Sequence, residues 1–266
     1  MKKISVFLAL LALFFADLAL AAGAVITSTT GTVSVQTGQA PGRPLRTGDQ
    51  VAQGDTVITG ANSAAVMKFD DGQVVAMTAN SRMQITNYQY NPATESGNVL
   101  LSLVTGGMRA ITGLIGRRAP SQVAYRAATA TIGIRGTDVT MATIDNNVVA
   151  TVSSGSISFT YQGVTLTINA GEAVLARPGQ PIIRGTAAQI TAQAPAAIQQ
   201  AVQQQAALIA AVINANPGQP PQGQQGQQGQ QGQQGDQGPQ GNQGQQGQQG
   251  GGSQGGGGGG GNASGS

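Results

Sequence analysis

Hydrophobic and polar residues alternate along most of the first two thirds of this chain. A period of two is typical of β-strands with one buried face. The alternating runs lie at residues 31–36, 65–69, 73–77, 148–152, 156–160 and 164–168. Asp70, Asp71 and Gly72 lie between two of these runs and predict a hairpin turn, and Gly155 and Gly163 predict turns between the later ones. Short strands at this spacing predict an all-β domain, a β-sandwich, roll or barrel, over residues 22–184.

The pattern changes at residues 185–216, where alanine and glutamine dominate. Pro195 can open a helix, and no glycine or proline interrupts residues 196–214. Ile198, Val202 and Ile209 lie roughly on one helical face, which Gln205 interrupts. Two interpretations stay open: a helix that packs on the β domain or stands alone, and a helix that forms an oligomer through residues 196–214.

Residues 217–266 form a Gly/Gln-rich tail with glycine at every third position from 223 to 250. This is the spacing of the collagen triple helix, but Pro239 is the single proline in the repeat, and the period ends after Gly250. The composition predicts a disordered spacer, with a weak triple helix as the alternative.

The amino terminus has the pattern of an export signal. Lys2 and Lys3 precede an apolar stretch at residues 4–20, and Ala19, Leu20 and Ala21 fit a small-x-small cleavage site. We therefore expect a signal peptide at residues 1–21, cleavage after Ala21, and a periplasmic or secreted protein. An uncleaved membrane anchor is the alternative.

The composition removes several kinds of chemistry. The sequence contains no histidine, cysteine or tryptophan. Thiolate chemistry, Cys/His zinc sites and an imidazole base are therefore excluded, and we expect no cofactor and no metal site. Without the two signal lysines the net charge of +3 falls close to neutral, which argues against nucleic-acid binding. An enzyme would need a carboxylate pair, which no sequence feature marks, so we expect a protein that is not an enzyme.

Several phrases, taken in order, resemble the FecR domain family. They lie at residues 31–35, 45–49, 53–60, 65–72, 80–85 and 101–109, and the most recognisable is ATIGIRGT at residues 130–137. The resemblance implies a jellyroll-like all-β fold. The best-known members regulate iron uptake, with a cytoplasmic segment that controls a sigma factor, one membrane helix and this domain in the periplasm.

The ends of this chain differ from those of the best-known members. An export signal stands in place of the cytoplasmic segment and membrane helix, and a helix and a Gly/Gln tail follow the domain. We therefore expect a stand-alone, exported FecR-domain protein that acts as a binding or scaffold module of the bacterial envelope. The alternative is a periplasmic partner in a cell-surface signalling system related to iron-uptake regulation.

Arg135 lies inside the phrase whose structural signature is Gly133, Arg135, Gly136 and Thr137. The two glycines predict a backbone bend or a close approach of another strand. We interpret Arg135 as a clamp that ties the bend to backbone carbonyls or to a carboxylate of the Asp-containing turns, because a guanidinium offers five donors. Contact with an anionic ligand is the alternative. Asp49 and Asp55 are expected to bond local backbone N–H groups in turns.

A basic segment separates Glu95 from Asp138, with no acidic residue between them. It predicts a contact for an anionic polysaccharide or the acidic face of an envelope protein. A solvated loop with scattered arginines is the alternative. The candidate binding residues are Arg109, Arg117, Arg118 and Arg126.

Overall fold

The computed structural model describes residues 23–215, and their architecture is all-β, as predicted. The strands are β1 (Gly23–Thr30), β2 (Val33–Thr37), β3 (Arg43–Pro44), β4 (Gln50–Ala52), β5 (Asp55–Thr59), β6 (Ala64–Phe69), β7 (Val74–Met77), β8 (Arg82–Asn91), β9 (Ser96–Ile111), β10 (Val123–Ala127), β11 (Ala130–Ile144), β12 (Asn147–Tyr161), β13 (Val164–Asn169), β14 (Glu172–Ala176) and β15 (Ile183–Thr186). The helices are α1 (Leu114–Arg118), α2 (Ala187–Gln193) and α3 (Ala196–Ala215), with a 3₁₀ turn at Pro120–Gln122.

Strand β9 is the centre of the topology because its two halves pair with different strands. The first half pairs in parallel with β10, from Val99 opposite Val123 to Leu103 opposite Ala127, and antiparallel with β8 on its other edge. The second half pairs antiparallel with β7 and with β11. The strand order through this centre is β15-β14-β12-β11-β10-β9-β7-β6-β1-β4, while β8, β5, β2 and β3 continue from the first half of β9.

The inward side chains of nearly all these strands form one core. A single cluster of buried residues joins Ile26 and Phe69 from the first strands to Tyr125, Phe159 and Ile168 from the last ones. Each large apolar side chain buried in this way contributes about 1.5–3 kcal/mol. The alternation read from the sequence thus marks the inner face of the β domain.

The turn residues are placed as predicted at two of three positions. Asp70 to Gly72 connect β6 to β7, and Gly72 has φ of +79°. Gly163 lies in the two-residue turn between β12 and β13, with φ of +79°. The turn predicted at Gly155 is wrong, because β12 continues through that residue and bends there instead.

The helices pack on the outside of the sheet. Thr186 opens α2 with a capping box, and Ile190 of that helix is buried with Ile198 and Ala201 of α3. These side chains lie against Val149 and Leu175 of the sheet. The beginning of α3 therefore packs on the β domain, with Ile198 facing inward. Oligomer formation through residues 196–214 stays a prediction.

Two predicted segments lie outside the described residues. They are the signal peptide at residues 1–21, with its cleavage after Ala21, and the tail at residues 217–266 with its glycine repeat. Of the helices that are described, none is long and apolar enough to cross a membrane.

Candidate binding surface

The signature phrase at residues 130–137 lies where β11 changes partners. The residues of β11 up to Arg135, which lies opposite Ser156, pair in continuous register with β12. The first residues of β11 also pair with β10 on the other edge. From Asp138 onward it pairs with β9, and the register with β12 shifts between Arg135 and Asp138. Gly136 has φ of +58° at this shift. The bend expected from the glycines is therefore a β-bulge, which turns the strand from one neighbour to the next.

Gly155 of β12 lies opposite the bulge, at a position that has no room for a side chain. Its φ is +73°, and a Cβ there would lie 2.2 Å from the carbonyl oxygen of Gly136 and 2.7 Å from that of Arg135. Any side chain would collide with the backbone of the bent strand. The two strands thus bend together at Gly136 and Gly155.

Thr112 and Thr137 tie the bend. The backbone N–H of Thr137 donates to Thr112 Oγ1 at 2.9 Å, and that hydroxyl donates to the carbonyl oxygen of Thr137 at 2.8 Å. The N–H of Thr112 donates to the same carbonyl at 3.0 Å. Both threonines are buried. The bulge would otherwise leave these backbone groups unpaired, which costs about 1–3 kcal/mol for each buried group.

Arg109 adds an ion pair beside the same bend. Its Nε donates to Asp138 Oδ1 at 2.6 Å, and its second nitrogen contacts Asp138 Oδ2, so the pair is bidentate. The exposed fractions of the two side chains are 17% and 14%. Arg109 was a candidate for binding an anionic ligand, but the structure places its guanidinium on a carboxylate of its own chain.

The expectation that Arg135 clamps the bend is wrong. Arg135 is exposed, and its side chain forms no hydrogen bond or ion pair with any residue in the described range 23–215. Alternation on β11 explains this position, because Ile132 and Ile134 fill the core and Arg135 must face outward. The local role predicted for Asp49 and Asp55 is confirmed: they accept from the backbone N–H groups of Arg46 and Ala52, at 2.8 and 2.9 Å.

The remaining basic candidates lie in two places. Arg117 and Arg118 end α1, where Arg117 donates to the carbonyl oxygen of Thr112 at 2.9 Å and Arg118 pairs with Glu95. A shallow groove of about 560 Å³ runs beside this pair. Arg126 instead lies exposed on β10, and its neighbours on either side, Tyr125 and Ala127, are buried in the core.

Arg126 and Arg135 lie on the same outer face of the sheet. We call this surface the hydroxyl face, because short polar side chains from adjacent strands line it. Thr131 of β11, Thr160 of β12 and Thr165 of β13 stand opposite one another across three strands. The hydroxyl face consists of Arg126, Thr131, Gly133, Arg135, Ser156, Ser158, Thr160, Thr165, Thr167 and Asn169.

The register fixes the spacing of the two arginines. Arg126 lies opposite Thr131, and Arg135 follows Thr131 by four residues on the same strand. At ~3.3 Å per residue the arginines are separated by about 13 Å along the strand direction. Ala124 and Gly133 lie side by side between them, and Ser158 pairs with Gly133 from β12. The two arginines therefore lie on either side of a flat patch of small side chains and hydroxyl groups.

No carboxylate belongs to this surface. Glu172, beyond Asn169, accepts hydrogen bonds from Arg184 at 2.5 and 2.7 Å and from the backbone N–H of Asn169 at 2.7 Å. Its charge is compensated, and these contacts lower the pKa of its carboxyl, with the Asn169 N–H as the largest cause. The net charge of the hydroxyl face is therefore positive.

Among residues 23–215, the most deeply buried carboxyl is that of Asp71, which belongs to an interior hydrogen-bond network. Its Oδ1 accepts from the backbone N–H of Gln73 at 3.1 Å and contacts the Tyr88 hydroxyl at 3.3 Å. Gln73 in turn accepts from the Tyr125 hydroxyl at 2.9 Å. Burial raises the pKa of Asp71, and the Gln73 N–H is the largest opposing influence. Within residues 23–215, no three acidic side chains are grouped so that they could hold a metal ion.

Comparison with known proteins identifies the domain. Residues 55–158 match the model of the family described as FecR protein, which confirms over this segment the resemblance read from the sequence. The matched segment begins in β5 and ends in β12, and it includes the bulge and Arg126.

Two solved structures from Parabacteroides distasonis, both of proteins assigned as anti-sigma factors, are similar over part of the chain. Their sequence identities are 12% and 14%, with a TM-score of 0.42 each. The similar region covers 49% and 52% of this chain and 59% and 63% of those chains. No curated protein matches the sequence.

Proposed function

We propose that this protein is a non-enzymatic binding module of the bacterial envelope, and that its FecR domain presents the hydroxyl face to an anionic partner. The observation that carries the proposal is the pair of exposed cations, Arg126 and Arg135, on one rigid sheet face without a compensating carboxylate. Export, predicted from residues 1–21, would bring this face to envelope polysaccharides.

The chemistry of the surface favours an anionic polysaccharide. Hydroxyl and amide groups can donate to and accept from sugar hydroxyls, and arginine pairs with carboxylate, sulfate or phosphate groups. The bound charges would remain near solvent, so the attraction should weaken as salt rises, with screening over about 8–10 Å at 0.1–0.15 M ionic strength.

The second candidate is a periplasmic partner in a cell-surface signalling system. The FecR domain favours it, since regulators in such systems carry this domain outside the cytoplasm. In that case the hydroxyl face would meet an acidic surface of an envelope protein, and a polysaccharide would not compete for it.

Dextran sulfate and unmodified dextran provide matched probes, because they share a backbone and differ in charged groups. We expect the full chain to bind dextran sulfate and not dextran, and Arg126→Ala/Arg135→Ala to lower the affinity by up to about 30-fold, since each exposed charge pair contributes up to ~1 kcal/mol and two pairs at most about 2 kcal/mol. Equal binding of both polymers, or an unchanged affinity in the double variant, would contradict the proposal.

A further inference from the structure

Strand β13 is an open edge of the sheet. Among the described residues it pairs with β12 alone, in an unbroken register from Val164 opposite Tyr161 to Asn169 opposite Ser156. Edge strands of soluble proteins are usually protected by lysine, proline, a bulge or a covering element. The sequence of β13, VTLTIN, contains no charge, proline or glycine.

The turn geometry shows which backbone groups are free at this edge. Gln162 and Gly163 both have positive φ, 49° and 79°, as in a two-residue hairpin turn of type I′. The flanking pair, Tyr161 and Val164, is then a hydrogen-bonded pair, and the pattern alternates from there. The N–H and C=O groups of Leu166 therefore point to β12, and those of Thr165 and Thr167 point to the open edge.

The side chains of β13 read nearly the same in both directions. Centred on Leu166, the order is aliphatic, threonine, leucine, threonine, aliphatic, from Val164 to Ile168. Antiparallel pairing of two copies about Leu166 would place Thr165 opposite Thr167 of the second copy and Val164 opposite its Ile168. Such pairing buries no charge and joins residues that favour strands.

The one well-exposed apolar side chain of the strand fits this arrangement. Val164 is 52% exposed, and it is one of two large hydrophobic residues with such exposure in the described part of the chain. In the paired strands its backbone would lie opposite Ile168 of the second copy, whose side chain is fully buried in its own core, so the second strand itself would cover Val164. The end of the strand limits the length of the pairing. The backbone N–H of Asn169 is already bonded to Glu172, so only the five residues before it can pair with a second copy.

We propose that two copies of this chain associate through antiparallel pairing of their β13 strands. The symmetry is isologous, so the same five residues serve both copies and the assembly closes as a dimer. The threonine row of the hydroxyl face would continue into the second copy, and each dimer would present four exposed arginines on one extended sheet. This inference stands independently of the proposed function, because it rests on the edge and not on a ligand.

The test is the oligomeric state of the full chain, measured by sedimentation equilibrium over a range of concentrations. Thr167→Pro removes an outward N–H without removing a bond to β12, which an edge strand tolerates. Thr167→Ala, the matched control, keeps that N–H. We expect wild type and Thr167→Ala to form dimers and Thr167→Pro to raise the dimer dissociation constant at least about tenfold, because it removes hydrogen bonds at both symmetric positions.

A second variant guards against misfolding of the proline variant. Val164→Lys changes an exposed side chain at the end of the strand and should preserve the circular dichroism spectrum, while it places a lysine, which disfavours edge-to-edge pairing, in the segment that would pair. It should also weaken the dimer. A wild-type chain that is monomeric at every concentration, or a dimer that withstands both Thr167→Pro and Val164→Lys, would overturn the proposal.

Discussion

Replacing Arg109 by alanine is expected to destabilise the β domain far more than removing any other arginine on its surface. The substitution leaves the Asp138 carboxylate without its bidentate partner at the bend of β11. Removing one partner costs about 3–5 kcal/mol for a fully buried ion pair and about 0–1 kcal/mol for an exposed one. With exposed fractions of 17% and 14%, we expect a loss of about 2–3 kcal/mol.

Equilibrium urea unfolding measures this loss directly. At an m-value of ~2 kcal/mol/M the unfolding midpoint should fall by about 1–1.5 M for Arg109→Ala. Arg118→Ala is the matched control, because the exposed fractions in its pair with Glu95 are 62% and 35%. Its cost should stay below about 1 kcal/mol. Arg135→Ala, at an exposed side chain that has no partner among residues 23–215, should cost less than about 0.5 kcal/mol.

A double-mutant cycle separates the ion pair from general packing. Asp138→Ala and Arg109→Ala/Asp138→Ala complete the cycle, and a coupling free energy of about 1–2 kcal/mol is expected between the two side chains. Equal small losses for Arg109→Ala and Arg118→Ala, or additive effects in the cycle, would refute the reasoning that this pair holds the bend.

Three other predictions concern the interior, the bulge and export. Burial raises the pKa of Asp71 above its ordinary value of 3.8. The Asp71 carboxyl therefore destabilises the folded state least below pH 3.8, and it lowers the free energy of unfolding increasingly as the pH rises through the raised pKa. Urea unfolding across this range should show Asp71→Asn gaining stability relative to wild type, and a constant difference would contradict it. Gly155→Ala, whose Cβ would meet backbone oxygens, should cost more than about 3 kcal/mol, whereas Gly136→Ala, with open space, should cost about 1 kcal/mol; similar losses would refute the collision. Intact-mass analysis of exported protein should give a chain that begins at Ala22, and a retained residue 1–21 segment would contradict the signal.

The fold class was predictable because alternation is a local signal. Ile132 and Ile134, for example, mark the buried face of β11 from their spacing alone. The bulge was predictable in part, since Gly133 and Gly136 indicated a bend. What sequence reasoning missed is the change of partners, because pairing with β10 and then β9 depends on residues distant in the chain.

The site was less predictable for the same reason. Nothing local distinguishes Arg109, which pairs with Asp138 on the adjacent strand, from Arg126, which is exposed to solvent. The sequence between Glu95 and Asp138 suggested one basic surface, but the fold places these arginines on different strands and on α1. The alternation does carry a local signal. Arg126 lies between the apolar residues Tyr125 and Ala127, and Arg135 continues the alternation of Ile132 and Ile134, so both arginines fall on the outer face.

Two charge-matched double variants test most directly whether the hydroxyl face binds the anionic partner. Arg126→Ala/Arg135→Ala removes two cations from the hydroxyl face, and Arg117→Ala/Arg118→Ala removes two from α1, so net charge is the same and position differs. In dextran sulfate titrations at low and moderate salt, we expect the first variant to lose up to about 30-fold in affinity and most of its salt dependence, while the second stays near wild type. Equal losses in both variants, or a larger loss at α1, would contradict binding through the hydroxyl face.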